Sequence, residues 1–211
     1  DATDNVMSLT VAQATSINAK LTAADVVTAT DTAGNIQGLT AGQITALTNV
    51  DIYDSTSDAL TITAAQAAAF GNGKLTAADV VTLADTGANT AAISAAAFAA
   101  LSNVDAVDTT DNALTITQAQ LTAITNARLA AGDVVTMADT GAIVAAAAFA
   151  ANTNVDLYDA TDNVLTLTSA QFAAATNAKL TAGDAITFAD TGANVIAATA
   201  VANGNIDTFD A

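Results

Sequence analysis

The sequence has no cysteine, proline, tryptophan, histidine or glutamate, and aromatic residues make up only 4% of it. Without cysteine there is neither a disulfide nor a thiolate metal site, a composition that fits an oxidising and a reducing compartment alike. Without histidine, cysteine or glutamate the hydroxyl side chains have no ordinary base to activate them as nucleophiles. Basic residues are nearly missing as well: four against 21 acidic side chains, every one of them Asp, for a formal charge of -17. Such a charge repels phosphate backbones and anionic lipid, which excludes nucleic acid as a partner. No apolar run approaches the roughly 18 to 20 residues of a membrane span, and no basic segment followed by an apolar one opens the chain, so no membrane insertion is expected. The chain opens at Asp1 rather than Met, and the expectation is a processed protein or a fragment.

What is present is a repeat. Apolar residues are 52% of the 211, enough to bury a core. Asp4 to Thr10 (DNVMSLT) returns as Ser57 to Thr63 (SDALTIT), Asp111 to Thr117 (DNALTIT) and Asp162 to Thr168 (DNVLTLT), at steps of 53, 54 and 51. Lys20 to Val27 (KLTAADVV) returns at Lys74, Arg128 and Lys179, so all four basic residues hold one repeated position. Asn49-Val50-Asp51 returns at Asn103, Asn154 and Asn205. Fixed-period similarity of this kind marks a repeat architecture. It gives a single array of four units, about 1-53, 54-107, 108-158 and 159-211. Each unit halves again: Val50, Val80, Val104, Val134, Val155 and Ile206, with Ala185 in the same series, head similar segments spaced by about 30 and by 21 to 24 residues in turn.

Within a unit, Val155 to Asp159 alternates apolar and polar residues and reads as a strand, Ala160 to Asn163 as a turn, and Val164 to Leu167 as a second extended segment. Thr168-Ser169-Ala170-Gln171 matches a capping box, in which hydroxyl and glutamine each satisfy a free amide at a helix start. The box recurs at Thr10/Gln13, Thr40/Gln43, Thr63/Gln66 and Thr117/Gln120. In the other half Val80 to Leu83 reads as a strand, Asp85-Thr86-Gly87 as a turn with Gly supplying positive φ, and Ser94 to Leu101 as a helix. A rival reading makes Thr76 to Asp79 a helix cap and Val80 to Ala84 helical. Such short elements are unstable alone and need stacking. Alanine brings a helical layer, usually 8 to 10 Å in spacing, nearer the roughly 4.8 Å of stacked strands. The expected fold is an α/β solenoid of strand-turn-strand-short-helix coils, a parallel strand layer against an Ala-rich helix layer. Its plan is like that of leucine-rich repeats, with Leu60, Ile62, Leu114, Ile116, Leu165 and Leu167 inward and Tyr53, Val107, Tyr158 and Phe209 in the core.

The phrases V-D-x-x-D-x-T-D-N-x-L-T-L-T-x-x-Q (155-171) and L-T-A-A-D-V-V-T-L-A-D-T-G-A-N (75-89) resemble repeats of large secreted bacterial surface proteins, adhesin-like and S-layer-like, exported by type I secretion. The resemblance covers the whole chain and implies an extracellular, cell-surface location and frequent dependence on calcium. The nonapeptide G-G-x-G-x-D-x-U-x is absent, so calcium binding of that kind carries over to no residue here.

Candidate chemistry is confined to aspartate. Asp54/Asp58, Asp108/Asp111 and Asp159/Asp162 lie in turns, with Asp51, Asp105 and Asp156 three residues before the first of each pair. Calcium takes six to eight oxygens, which carboxylates and turn carbonyls supply. The alternative is that Asp makes turns and holds free amides. The pairs Thr61/Thr63, Thr115/Thr117 and Thr166/Thr168 form a hydroxyl ladder, although the second of each is expected to be a helix cap. An active site is normally unique, whereas each polar feature here is copied, so the chain reads as no enzyme. The expected function is a structural segment of a surface layer, fibre or adhesin stalk. The alternative is a binding module recognising glycan, a partner protein or ice. The last residues match Asn154 to Ala160 of an internal unit, and the opening residues nearly repeat the segment that comes next in that unit, Thr161 to Val164. Uncapped coils at both ends would favour neighbouring repeats of a longer array, or self-association into a filament or sheet.

Overall fold

The computed structural model describes residues 2-125, 128-176, 179-198 and 204-211, and it divides into two compact units, Asp1–Asp111 and Asn112–Ala211. The first unit runs β1 (Val6–Leu9), α1 (Val11–Ile17), β2 (Val26–Asp31), α2 (Ala33–Gln37), α3 (Ala41–Ala46), β3 (Ile52–Ser55), β4 (Ala59–Ile62), α4 (Ala64–Phe70), β5 (Val80–Asp85), α5 (Gly87–Ala91), α6 (Ala95–Ala100) and β6 (Ala106–Thr109). Single 3-10 turns at Asn18–Lys20 and Asn72–Lys74 follow α1 and α4. The second unit runs β7 (Ala113–Ile116), α7 (Gln118–Ile124), β8 (Val134–Asp139), α8 (Gly141–Ala145), β9 (Leu157–Ala160), β10 (Val164–Leu167), α9 (Ser169–Ala175), β11 (Ala185–Ala189), α10 (Gly192–Ala198) and β12 (Thr208–Asp210).

Four three-stranded sheets result, β1-β2-β3 and β4-β5-β6 in the first unit, β7-β8-β9 and β10-β11-β12 in the second, with every pairing parallel. Parallel neighbours need a crossover, and here each is one or two short helices. The long middle strand β5 pairs with β4 over Val80 to Leu83 and with β6 over Thr82 to Asp85, so that Leu83 lies between Ile62 and Val107. The period-2 alternation of the sequence sorts the side chains. Leu60, Ile62, Val81, Leu83, Leu114, Ile116, Leu165 and Leu167 are buried, whereas Val80, one residue from Val81, is 60% exposed. At about 1.5 to 3 kcal/mol for each fully buried aliphatic side chain, this inward row holds together helices that would melt alone.

All five capping boxes are formed: Thr10, Thr40, Thr63, Thr117 and Thr168 each accept the amide of a Gln three residues on, whose own carboxamide accepts the threonine amide. Val80 to Ala84 is strand, which removes the helical rival. Asp85-Thr86-Gly87 is not a left-handed turn. Asp85 closes β5, Thr86 caps a helix, and Gly87 is its first residue, so the second half of the unit holds two helices, α5 and α6, where the sequence indicates one. At the equivalent Gly141 the glycine answers to proximity rather than to φ, because an added Cβ would run into the backbone carbonyl of Val164. Tyr53, Val107 and Tyr158 are core as expected, but Phe209 in β12 remains 43% exposed. Burial with no other influence pushes the Tyr53 phenol up to about 12.

Candidate functional site

The aspartates are the repeated chemistry, and they fall into four positional series. In the first, Asp31, Asp85 and Asp139 end the middle strands and Asp190 directly follows one. Their Oδ2 accepts the first helical amide of a neighbouring coil, from Val11 (3.0 Å), Ala64 (3.0 Å), Gln118 (3.2 Å) and Ser169 (2.9 Å). Their Oδ1 accepts the amide of the following threonine at 2.8 to 2.9 Å. One carboxylate thereby serves two helix starts, where free N–H groups and the helix dipole favour negative charge. Asn35, Asn89 and Asn194 add a side-chain N–H to Asp31, Asp85 and Asp190 at 2.7 to 2.8 Å. The asparagine bond is the main cause that holds these three carboxyls below the ordinary Asp value, with the backbone amides acting in the same sense.

In the second series Asp51, Asp105, Asp156 and Asp207 each accept, at 2.8 Å, the amide of Val27, Val81, Val135 or Ile186 in the preceding coil. Their own amides return a bond to the same residue's carbonyl. Three of these were calcium candidates from sequence, and the structure gives their carboxylates to strand amides. In the third, Asp111 and Asp162 accept the N–H of Gly87 (2.8 Å) and Gly141 (2.9 Å), the opening residues of α5 and α8.

The fourth series was missed by sequence reasoning. Asp25, Asp79, Asp133 and Asp184 are buried, 3 to 5% exposed. Asp25 takes Ala2 N–H (3.0 Å) and the Thr22 hydroxyl (2.9 Å), and these bonds, the first foremost, lower its carboxyl. Asp184 takes Ala160 N–H (3.1 Å) and the Thr181 hydroxyl (2.7 Å). Among the described residues Asp79 takes only Ser55 N–H, at 3.0 Å, and its carboxyl is raised, first by burial and then by the charges of Asp54 and Asp58. The available signal was the repeated place of this Asp within L-T-A-A-D-V-V, immediately before a strand. Of the remaining turn candidates, Asp159 accepts from the Thr181 hydroxyl at 3.2 Å, while no hydrogen bond among the described residues reaches the carboxylates of Asp54, Asp58 and Asp108. Among the described residues, no group of three or more His, Cys, Asp or Glu side chains is gathered to hold a metal ion as it stands.

The remaining polar repeats also join coil to coil. Asn49, Asn103, Asn154 and Asn205 donate to the carbonyls of Leu21, Leu75, Leu129 and Leu180 at 2.7 to 3.2 Å. The ammonium groups of Lys74 and Lys179 donate to the carbonyls of Leu47 (3.2 Å) and Val155 (2.6 Å). Burial lowers the Lys74 pKa against the pull of Asp51. A groove of about 270 Å³ beside α4 and α6, lined by Ala64, Ala67, Gly71, Ile93, Ala97 and Leu101 among others, offers no titratable group. What the arrangement does chemically is to accept backbone amides. Comparison with protein-family models, with curated proteins and with solved structures finds no match.

Proposed function

We propose that the chain is a structural repeat segment of an extracellular bacterial surface protein, a surface layer, fibre or adhesin stalk, built as a solenoid whose successive coils supply length and stiffness. One observation supports this above the others: most of the repeated aspartates, and the asparagines of the Asn49 series, are bonded to the backbone of a neighbouring coil. A polar group already saturated by backbone amides is unsuited to acid-base work, and repetition of each one gives a periodic scaffold rather than one reactive centre. The partners on this reading are neighbouring repeats of a longer array or further copies of the chain.

The reading is tested on intact bacteria that express the parent protein, with an impermeant antibody raised against this chain. Labelling of unbroken cells is expected. Signal that emerges only after lysis would remove the surface assignment.

A second reading rests on one further observation. Outward threonines stand in register across neighbouring strands, Thr61 beside Thr82, Thr115 beside Thr136, and Thr166 beside Thr187 and then Thr208. Such rows would suit a binding module that meets a repetitive ligand, glycan or ice, through a regular hydroxyl face. Replacing Thr61, Thr115 and Thr166 together by Val separates the two readings, because adhesion should survive on the first and fall on the second.

A further inference from the structure

One junction between coils is built twice inside the chain. In the first unit β3 carries Tyr53, which is fully buried, stands edge-on to Phe70 of α4 with ring centres 4.8 Å apart, and bridges Leu75 in parallel. In the second unit β9 carries Tyr158, also fully buried, which bridges Leu180. The polar bonds match. Thr76 N–H donates to the Tyr53 carbonyl and Thr181 N–H to that of Tyr158, at 3.4 and 3.2 Å. Asp79 receives Ser55 N–H and Asp184 receives Ala160 N–H, at 3.0 and 3.1 Å. In the fourth repeat the Lys179 ammonium adds a bond to the Val155 carbonyl. Strand and receiving coil are thus a matched pair of surfaces.

Each of the two surfaces also occurs once without its mate. Strand β12 is the repeat equivalent of β3 and β9; one edge pairs with β11, and Phe209, in the place of Tyr53 and Tyr158, is 43% exposed. An unpaired strand edge is a ready template for another chain. The coil from α1 to Asp25 is the equivalent of the receiving coils. Ile17 stands where Phe70 does but is only half-buried, and Lys20 is exposed with no hydrogen bond among the described residues. Asp25, in the place of Asp79 and Asp184, holds Ala2 N–H at 3.0 Å. Asp1-Ala2, Asp159-Ala160 and Asp210-Ala211 are one dipeptide at one point of the repeat. Ala2 therefore makes a single bond of the junction, and Ile17 and Lys20 beside it lack the strand that covers their counterparts.

We propose that this chain joins a second copy of itself head to tail, β12 of one copy seating on the α1-to-Asp25 coil of the next in the register of the internal junctions. The inference rests on the structural reading above and names the residues of its contact. Phe209 packs against Ile17 and Leu21 of the next copy, and its carbonyl takes Thr22 N–H. Lys20 reaches the Ile206 carbonyl, the equivalent of Val155. Asp25 exchanges Ala2 N–H for Ala211 N–H, so that bond is replaced and not lost. A second copy is the occupant because the complement of this strand is a coil reading Lys-Leu-Thr-x-x-Asp, and Lys20 to Asp25 presents one. The charge of -17 on each copy opposes the contact and salt screens it, so association strengthens with ionic strength. Two different surfaces meet, which leaves a strand and a coil of every pair open to further copies.

The test is sedimentation velocity of the 211-residue chain over a range of protein concentrations, at low and at raised sodium chloride. Association that grows with concentration and with salt is expected. Phe209→Asp, at an exposed position, should melt as the parent does and weaken association by about tenfold or more. Removing Asp1 and Ala2 vacates Asp25 and should strengthen association by about threefold to tenfold, the worth of one hydrogen bond no longer exchanged. A parent chain that stays monomeric in raised salt overturns the proposal. So does a Phe209→Asp chain that associates as the parent does, or a shortened chain that associates no more strongly. If the shortened chain fails to fold, Phe209→Asp decides alone. Labelling of intact cells, the test of the structural reading, does not depend on self-association, so labelled cells with a monomeric chain sink this inference and leave that reading standing.

Discussion

Helix α5, Gly87-Ala88-Asn89-Thr90-Ala91, and helix α8, Gly141-Ala142-Ile143-Val144-Ala145, hold equivalent places in the second and third repeats and differ at two adjacent residues. In α5 the outward Asn89 binds Asp85, while the inward Thr90 is fully buried with its hydroxyl unpaired. In α8 the inward residue is Val144, fully buried, while the outward one is Ile143, 41% exposed where an asparagine would meet the strand-end aspartate. Thr86 also caps α5 through Asn89 N–H at 3.3 Å, whereas the side chain of Thr140 makes no such bond. Each helix thus carries one substitution that the other corrects. Five residues can absorb such changes because the helix is held by its opening glycine and by the carboxylate that receives it, not by its own propensity.

The largest expected effect concerns that glycine. Gly141→Ala drives a methyl group into the Val164 carbonyl and disturbs the bond to Asp162, and it should cost about 3 kcal/mol. Gly192→Ala, at the matching place in α10 with nothing within 4 Å of the added carbon, should be neutral or gain up to about 1 kcal/mol from helix propensity. Urea denaturation of the two variants checks this, and equal effects would refute close approach as the reason for glycine. Next in size, Thr90→Val copies Val144 into α5 and removes a buried unpaired hydroxyl, with an expected gain of about 1 kcal/mol; Val144→Thr should lose at least as much. A midpoint shift with unchanged denaturant slope is the signature to look for.

The smallest effect appears only in acid. Asp85 in the folded chain has a lowered pKa, so its contribution is fully present above the unfolded value near 4 and is lost as the pH falls through the lower folded value. Asn89 is the first cause of that lowering, so Asn89→Ala should move acid unfolding to higher pH. Ile143→Asn, which offers Asp139 the same partner, should move it to lower pH. Asp79 acts in the opposite sense: with a raised folded pKa it opposes folding at neutral pH, and that penalty is relieved as the pH falls through the folded value. Circular dichroism measured against pH separates the variants.

Much of this was legible in the sequence. The V-x-T alternation gave the middle strands, and S/T-x-x-Q gave five helix starts with their partners. What escaped was anything decided by a neighbour twenty or more residues away. Gly87 looked like a turn residue because the carboxylate that receives its N–H, Asp111, lies in the next coil. Asp51, Asp105 and Asp156 were read with the turn aspartates just after them, since nothing local says that their oxygens meet a valine amide of the coil before. Asp79 looked like one more polar residue before a strand, because burial is set by the turn packed over it. The left-handed residues after α4, α7 and α9 were likewise hidden: Gly71 has φ 55°, but Thr125 and Thr176 adopt 65° and 58° with no glycine to announce it. In β-branched residues such backbones are strained by about 1 to 3 kcal/mol.

The aspartate bonds also have a narrow range of reach along the chain, as in the 21 residues from Ala64 to Asp85 and the 24 from Val81 to Asp105. A gene built of such periods can copy or drop a whole repeat, and each acceptor still meets a donor at the distance it requires. A partial deletion strands one end of every bond that spans it, except where the chain between the two ends can shorten. From Val135 to Asp156, as from Ile186 to Asp207, the reach is 21 rather than 24, yet the bond stays at 2.8 Å. In the third repeat the missing residues fall between Val144 and Asn154, where the second repeat has helix α6 and the third has only turns. That outer arc is where related sequences can vary in length without disturbing the coil beneath.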